Sequence, residues 1–173
     1  NYDIVFDGPH FNSWRISRLN YSMLAKIADE SVFVVVTRKD NTQIKELKQL
    51  AGKKMCGINP SNLATLSVTS EFEPMRQPLV MDSMGWTKVY EGVMEGRCTA
   101  GTLPVAVLRK LDRAGTATRI VHQSRQLPSQ AFSAGPRVTV DEQAKLARAL
   151  TSAMAKQPLT PPRHGERGTN HLA

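Results

Sequence analysis

The stretch that decides the fold is residues 53–66, KKMCGINPSNLATL, in which a short apolar run is followed by a polar turn and a second apolar run. Met55–Ile58 predicts a buried strand, Asn59–Asn62 a turn, and Leu63–Phe72 a helix. The first backbone N–H groups of such a helix lack partners within it, and the macrodipole adds partial positive charge there. The sequence therefore predicts either an anion-binding site or a helix that its own polar turn simply caps.

Three side chains of the same stretch are candidates to extend such a site. The hydroxyl groups of Ser61 and Thr65 and the amide of Asn62 stand at or near the predicted helix start. Ser and Asn cap many helix starts without any ligand, so this loop alone leaves both interpretations open.

The composition is that of an ordinary globular protein. Of 173 residues, 40% are hydrophobic and 22% are charged, and no run approaches the ~20 apolar residues that a membrane-spanning helix needs. The opening NYDIVFDGPH lacks the pattern of a signal peptide, so we expect that export has removed a signal or that the chain is a fragment. The net charge of +8 favours anionic partners. Because the basic residues are spread along the chain, they give nucleic acid binding only weak support.

The segments before this stretch predict alternating strands and helices. Asp3–Asp7 predicts a strand ended by a Gly-Pro turn, and Phe11–Leu19 predicts a helix. The apolar residues of this helix, expected to face a core, are Phe11, Trp14, Ile16 and Leu19. Met23–Ala28 predicts a further strand, and the apolar run Val32–Val36 predicts a strand buried on both faces. Ile44–Leu50 has the spacing of apolar residues on one helix face.

The segments after it continue the alternation. The predicted elements are a strand at Leu79–Met81, a helix at Gly85–Glu95, a strand at Cys98–Thr102, a helix at Val105–Leu111 and a strand at Arg119–His122. Because helices of about ten residues separate these strands, we expect right-handed crossovers, a largely parallel sheet and the α/β class. Ala131–Ala134 predicts another strand, and Thr139–Glu142 matches a capping box before a helix that extends to about Lys156.

The order of these elements resembles a known family. Four pieces carry the resemblance: DIVFDGPHF, then SVFVVVTRKD followed by IKELKQLAGKK, then INPSNLATL, and finally VYEGVMEGRCTAGTLPVAVL. In this order they are similar to the periplasmic substrate-binding proteins of the phosphate, phosphite and phosphonate ABC transporters, over roughly Tyr2–Ala155. That family has the type II periplasmic-binding-protein fold. The resemblance implies two α/β lobes with largely parallel sheets and helices on both faces, joined by two crossings, with the ligand in the cleft.

The resemblance also divides the chain. Residues 1–30 match a first-lobe segment, 31–124 a complete second lobe, 125–157 a return to the first lobe, and 158–173 a flexible tail. The two crossings are then Asp29–Ser31 and Ser124–Pro128. Nothing matches the strand, helix and strand that begin the family's first lobe, so we expect an N-terminally truncated chain or a minimal relative. Its uncovered apolar faces would need a missing segment or a second copy of the chain.

Candidate ligand residues follow from the rule that ligands bind beyond the carboxyl ends of strands in open α/β sheets. The set is Asp7, Gly8 and His10 on the first lobe and Asn59, Ser61, Asn62, Leu63, Thr65, Asp82, Ser83 and Thr102 on the second. A histidine after Gly-Pro could donate to an anion or simply hydrogen-bond within its turn, and the sequence leaves both readings open.

The family's ligand loop commonly reads Ser-Ser-Thr-Ser-Gly, and its hydroxyl and amide groups hold phosphoryl oxygens. The matching positions here are Ser61, Asn62, Leu63, Ala64 and Thr65. Three hydroxyl positions are changed, but backbone amides remain available whatever the side chains are. The resemblance therefore implies a small anionic ligand, similar to phosphonate or phosphate.

The function that the resemblance implies is an extracytoplasmic, periplasmic solute-binding protein that delivers its ligand to the membrane permease of an ABC transporter. No cofactor is expected, and the cysteines and histidines show no metal-ligand spacing and no nucleophile signature. We expect no enzyme activity and no nucleic acid partner. The alternatives are a ligand-sensing domain of a signalling protein or regulator and, less favoured, an enzyme on the same fold.

The two cysteines lie on strands that the family topology makes neighbours. If their side chains share a face, Cys56 and Cys98 are close enough for a disulfide, which is plausible in an exported protein. Two buried free thiols that pack as small apolar groups are the alternative.

Overall fold

The structure is a computed structural model that describes residues 2–154 and separates into two compact units. The predicted tail from Pro158 and the end of the last helix at Lys156 lie outside the described residues. In chain order the elements are β1 (Ile4–Asp7), α1 (Pro9–Leu19), β2 (Ser22–Lys26), β3 (Glu30–Ser31), β4 (Phe33–Arg38), β5 (Lys54–Gly57), α2 (Leu63–Thr69), β6 (Leu79–Asp82), α3 (Trp86–Met94), β7 (Ala100–Pro104), α4 (Val105–Leu111), β8 (Thr118–Gln123), β9 (Leu127–Pro128), β10 (Ala131–Ala134) and α5 (Val140–Met154).

The larger unit, Gly8–His10 and Ala28–Gln130, contains a five-stranded sheet in the order β6-β5-β7-β4-β8. β5 pairs in parallel with β6 and β7, whereas β4 is antiparallel to both β7 and β8. Four strands therefore run in one direction and β4 runs in the other. The predicted α/β class with a mostly parallel sheet is confirmed for this unit.

The larger sheet is buried on both faces. Val34 and Val36 of β4 pack with Leu103 on one face, and Val35 packs with Met55 and Val68 on the other. All three valines are fully buried, as the run of β-branched residues in β4 predicts. Apolar side chains are thus buried on both faces of the same interior strand, β4.

Several element boundaries differ from those predicted. The segment before Gly52 forms a short 3-10 helix at Leu47–Leu50, although its apolar side chains are buried as expected. α2 ends at Thr69 because Ser70 caps it, three residues before the predicted end. β7 begins at Ala100, so Cys98 lies before the strand, where its N–H donates to the Gly92 carbonyl.

The two predicted crossings pair with each other. β3 and β9 form a two-stranded antiparallel ribbon in which Glu30 lies opposite Pro128. Because this ribbon packs with the larger unit, the units divide at residues 27/28 and 130/131, where the sequence predicted 30/31 and 124/125.

The smaller unit comprises residues 2–7, Phe11–Ile27 and 131–154. Its sheet has the order β1-β10-β2, and both pairings are antiparallel. Strands β1 and β2 run in the same direction, but β10 lies between them, so this sheet lacks the parallel pairs that the sequence predicted. The capping box of α5 is present, since the Glu142 carboxylate accepts from the N–H and hydroxyl of Thr139. These bonds lower the pKa of Glu142.

The face of α1 predicted to enter a core does not do so. Phe11, Trp14 and Leu19 are exposed, and the residue that α1 buries is Asn12. Its Nδ2 donates to the carbonyls of Asp7 and Ala131, and its Oδ1 accepts from the Ser133 hydroxyl. A polar residue therefore fixes α1 on the smaller sheet.

Candidate ligand site at the carboxyl edge of the larger sheet

The site forms where β5 and β6 end. β5 leads into the loop Asn59–Asn62 and then into α2, and β6 leads into Ser83. The Ser83 N–H donates to the Gly57 carbonyl at 2.8 Å, which joins the two strand ends. Parallel strands thus bring this loop and Ser83 to one edge of the sheet, as the sequence predicts.

The loop is held by its own asparagines. The Asn59 Oδ1 accepts from the N–H of Ser61 at 3.0 Å and from its hydroxyl at 3.1 Å. The Asn62 Oδ1 accepts from the Ala64 N–H at 3.0 Å, so Asn62 is the N-cap of α2. Asn59 and Ser61 remain exposed to solvent, and Asn62 and Leu63 are half-buried.

Two predicted ligand residues point away from the loop surface. Thr65 and Thr102 are both fully buried. The Thr65 hydroxyl donates to the Ile58 carbonyl at 2.6 Å, and the Thr102 hydroxyl donates to the Ala64 carbonyl. Their hydroxyl groups therefore stabilise the junction of β5, α2 and β7, and the prediction that they face a ligand is not supported.

His10 contacts the loop directly. Its Nε2 lies 3.1 Å from the Ser61 carbonyl oxygen, which can only accept, so the bond requires a proton on Nε2. Gly8 leaves room for the imidazole, because a Cβ at this position would lie 2.9 Å from the His10 Cε1. The bond reaches a residue 51 positions further along the chain, outside the turn of His10, and it places the ring beside the loop. Contact between His10 and an anion stays a prediction.

The two predicted aspartates have different surroundings. Asp82 ends β6 and is exposed, next to the half-buried Ser83. Asp7 ends β1 in the smaller unit, where its carboxylate forms an ion pair with Arg15. Neither carboxylate takes part in the hydrogen bonds of Asn59, Ser61 and Asn62 described above.

The end of β8 adds residues that are not among the candidates predicted from the sequence. His122, Gln123 and Arg125 line a groove of about 840 Å³ together with His10 and Leu63. The rule that ligands bind beyond the carboxyl ends of strands could have identified these residues, because it applies to β8 as well as to β5 and β6. The sequence assigns His122 to a predicted strand and Ser124–Pro128 to a crossing, and neither segment was among the candidate ligand residues.

Within residues 2–154, no three His, Cys, Asp or Glu side chains are grouped so that they could hold a metal ion. In the same part of the chain, no helix has the length and apolarity needed to cross a bilayer.

A disulfide links β5 to the segment just before β7. Cys56 of β5 and Cys98 are bonded, with their Cα atoms 5.6 Å apart. Cys56 is paired with Gly101 in the sheet, so Cys98 is three residues before the position directly opposite. Gly92 of α3 makes room for the bond, since a Cβ there would lie 2.6 Å from the Cys56 Sγ.

The strand order and the two units define the class, a type II periplasmic-binding-protein fold. A family model described as "ABC transporter, phosphonate, periplasmic substrate-binding protein" matches residues 1–161. The chain belongs to this family of phosphonate-type periplasmic substrate-binding proteins. Comparison with curated protein sequences finds no match.

Solved structures show the same fold at low sequence identity. XAC2383 from Xanthomonas citri bound to chloride ion has a TM-score of 0.69 and 17% identity, covering 90% of this chain and 64% of its own. The P235GK mutant of ArgBP from T. maritima has a TM-score of 0.61 and 14% identity, covering 89% and 63%. The periplasmic VFT2 domain of BvgS from Bordetella pertussis has a TM-score of 0.59 and 18% identity, covering 87% and 61%. The chain thus spans less than two thirds of the length of each of these relatives.

Proposed function

We propose that this chain is the ligand-binding part of an extracytoplasmic solute-binding protein that captures a small oxyanion, such as a phosphonate or phosphate, for an ABC transporter. The observation that carries the proposal is the exposed loop Asn59–Ser61 at the carboxyl edge of the larger sheet, with His10 beside it. Family membership supports both the location and the permease partner. The ligand class rests on the chemistry of the loop.

An oxyanion that binds at this loop would replace the Asn59 side-chain oxygen as the acceptor of the hydrogen bonds from Ser61. The N–H and hydroxyl of Ser61 now donate to the Asn59 carboxamide oxygen. An oxyanion is a stronger acceptor than an amide oxygen, because hydrogen bonds to a charged group are shorter and roughly twice as strong. Displacing the Asn59 oxygen would give the ligand two donors from Ser61 and free the Asn59 side chain to turn its NH₂ group toward the anion.

The test is calorimetric titration with methylphosphonate, phosphate and phosphite, with arginine for comparison. Ser61→Ala should weaken oxyanion binding by roughly fivefold, which corresponds to about 1 kcal/mol for the lost hydroxyl donor. Thr87→Ala on the exposed side of α3 is the matched control and should bind like the wild type. Equal affinities of the two variants, or binding of arginine with no binding of any oxyanion, would contradict the proposal.

A sensor role is the second candidate. It is the alternative that the sequence leaves open, because one fold can serve several unrelated functions. Both roles require ligand capture at the same loop, so binding alone does not separate them. Uptake of labelled ligand by cells with and without the gene does: loss of uptake on deletion supports the transport role, and unchanged uptake supports the sensor role.

A further inference from the structure

The groove beside the loop is far larger than a phosphate ion. Its volume of about 840 Å³ lies within the range of pockets that hold small organic molecules. Its walls are the outer side of α2 and the segment that ends β8, together with the Ser124–Leu127 segment. A bare oxyanion at the Ser61 loop would leave most of this space to water.

The groove changes in character along its length. α2 starts at the carboxyl edge of the sheet and returns toward the opposite edge, so Leu63 lies at the loop end and Glu71 at the far end. Seven helical residues span about 10 Å. Glu71 and Gln77 make the far end polar, whereas the loop end has His10 and Arg125.

Arg125 is suited to pair with an anion. Its side chain lines the groove and is exposed, and its guanidinium makes no hydrogen bond or ion pair with another residue between 2 and 154. Guanidinium groups bind carboxylates, phosphates and phosphonates through paired N–H donors. The groove therefore offers a cation just after β8, at the same edge of the sheet as the loop that is proposed to hold an oxyanion.

Between the two ends the wall is partly apolar. Leu63, Leu66 and Leu127 line the groove, and Leu66 is 37% exposed although it lies on a helix that packs on the sheet. Exposed leucines beside a cation match a ligand that has an apolar body attached to an anionic group, because burying methylene groups against them is favourable.

We infer that the ligand is an elongated organic anion, whose charged group lies near Ser61 and Arg125 and whose body extends along α2 over Leu66. This inference rests on the proposed function, since it deepens the description of the same site. It predicts that affinity depends on the length of the organic group as well as on the charge.

The experiment is calorimetric titration of the full chain with methylphosphonate, propylphosphonate and hexylphosphonate at low ionic strength. Affinity is expected to rise by roughly fourfold for each methylene that is buried in the groove. Leu66→Ser should flatten this increase, whereas Leu79→Ser, an exposed leucine on the edge strand β6, should preserve it. Arg125→Gln should weaken binding of all three compounds alike, by roughly fivefold for an exposed ion pair.

The outcomes separate the two proposals. Equal affinities for all three compounds would overturn the inference and leave the oxyanion site intact. A chain-length effect that Leu66→Ser does not reduce would also overturn it, because the organic group would then lie elsewhere. No binding of any of the three would overturn both the inference and the proposed ligand class.

Discussion

Replacing Cys56 and Cys98 by alanine is expected to lower the free energy of unfolding by about 4 kcal/mol. The disulfide closes a loop with a sequence separation of 42 residues, and the loss of chain entropy on closing a loop of that length corresponds to roughly this value. Both cysteines are almost fully buried against Val89, so the bond also forms part of the core under α3. Denaturant unfolding of the wild-type and double-variant proteins measures the difference.

The control is the wild-type chain unfolded with and without a reductant. Reduction should lower its stability by a similar amount, because it removes the same constraint from the unfolded chain. Thiol counting under denaturing, non-reducing conditions should find no free thiol in protein exported to an oxidising compartment. Two free thiols would contradict the disulfide and support the alternative of two buried cysteines.

Asn12→Ala is expected to cost about 3 kcal/mol of stability. The substitution removes three hydrogen bonds and leaves the Ala131 carbonyl and the Ser133 hydroxyl buried without their present partner. Each buried polar group left unsatisfied costs about 1–3 kcal/mol. Ser13→Ala, on the exposed side of α1, is the matched control and should change stability little. A loss below about 1 kcal/mol for Asn12→Ala would show that α1 is held in another way.

The larger sheet could be predicted from the sequence because its signals are strong and local. The β-branched run of β4 identified a strand buried on both faces, and the Asn59–Asn62 turn identified the junction between β5 and α2. The sequence also predicted that the loop and Ser83 lie at one edge of the sheet, as they do; that this edge binds the ligand stays a prediction. These predictions depend on the alternation of strand segments with helix segments along the chain, which indicates a mostly parallel sheet.

The orientation of individual side chains could not be predicted in the same way. On α1, the spacing of Phe11 and Trp14 favoured an apolar inward face, but the rotation of the helix is set by the hydrogen bonds of Asn12, which depend on β10 more than a hundred residues later. Periodicity identifies a helix but not the partner that its face meets.

Thr65 illustrates the same limit within the site. Its hydroxyl was predicted to meet a ligand, but the structure turns it toward the Ile58 carbonyl. Gly57 permits this approach, since a Cβ there would lie 2.8 Å from the Thr65 Oγ1. A glycine before the loop was therefore the available sign that another group comes close to the strand at this point.

The measurement that tests the central claim most directly is amide hydrogen exchange of the chain with and without saturating methylphosphonate. The amides of Asn59 and of residues 61–64 should exchange more slowly in the bound state, because a bound ligand stabilises the loop against local opening. Amides in β6 outside the site should change little and serve as an internal reference. Saturable binding with no protection between residues 59 and 64, and with protection elsewhere in the chain, would contradict the assignment of the site to this loop.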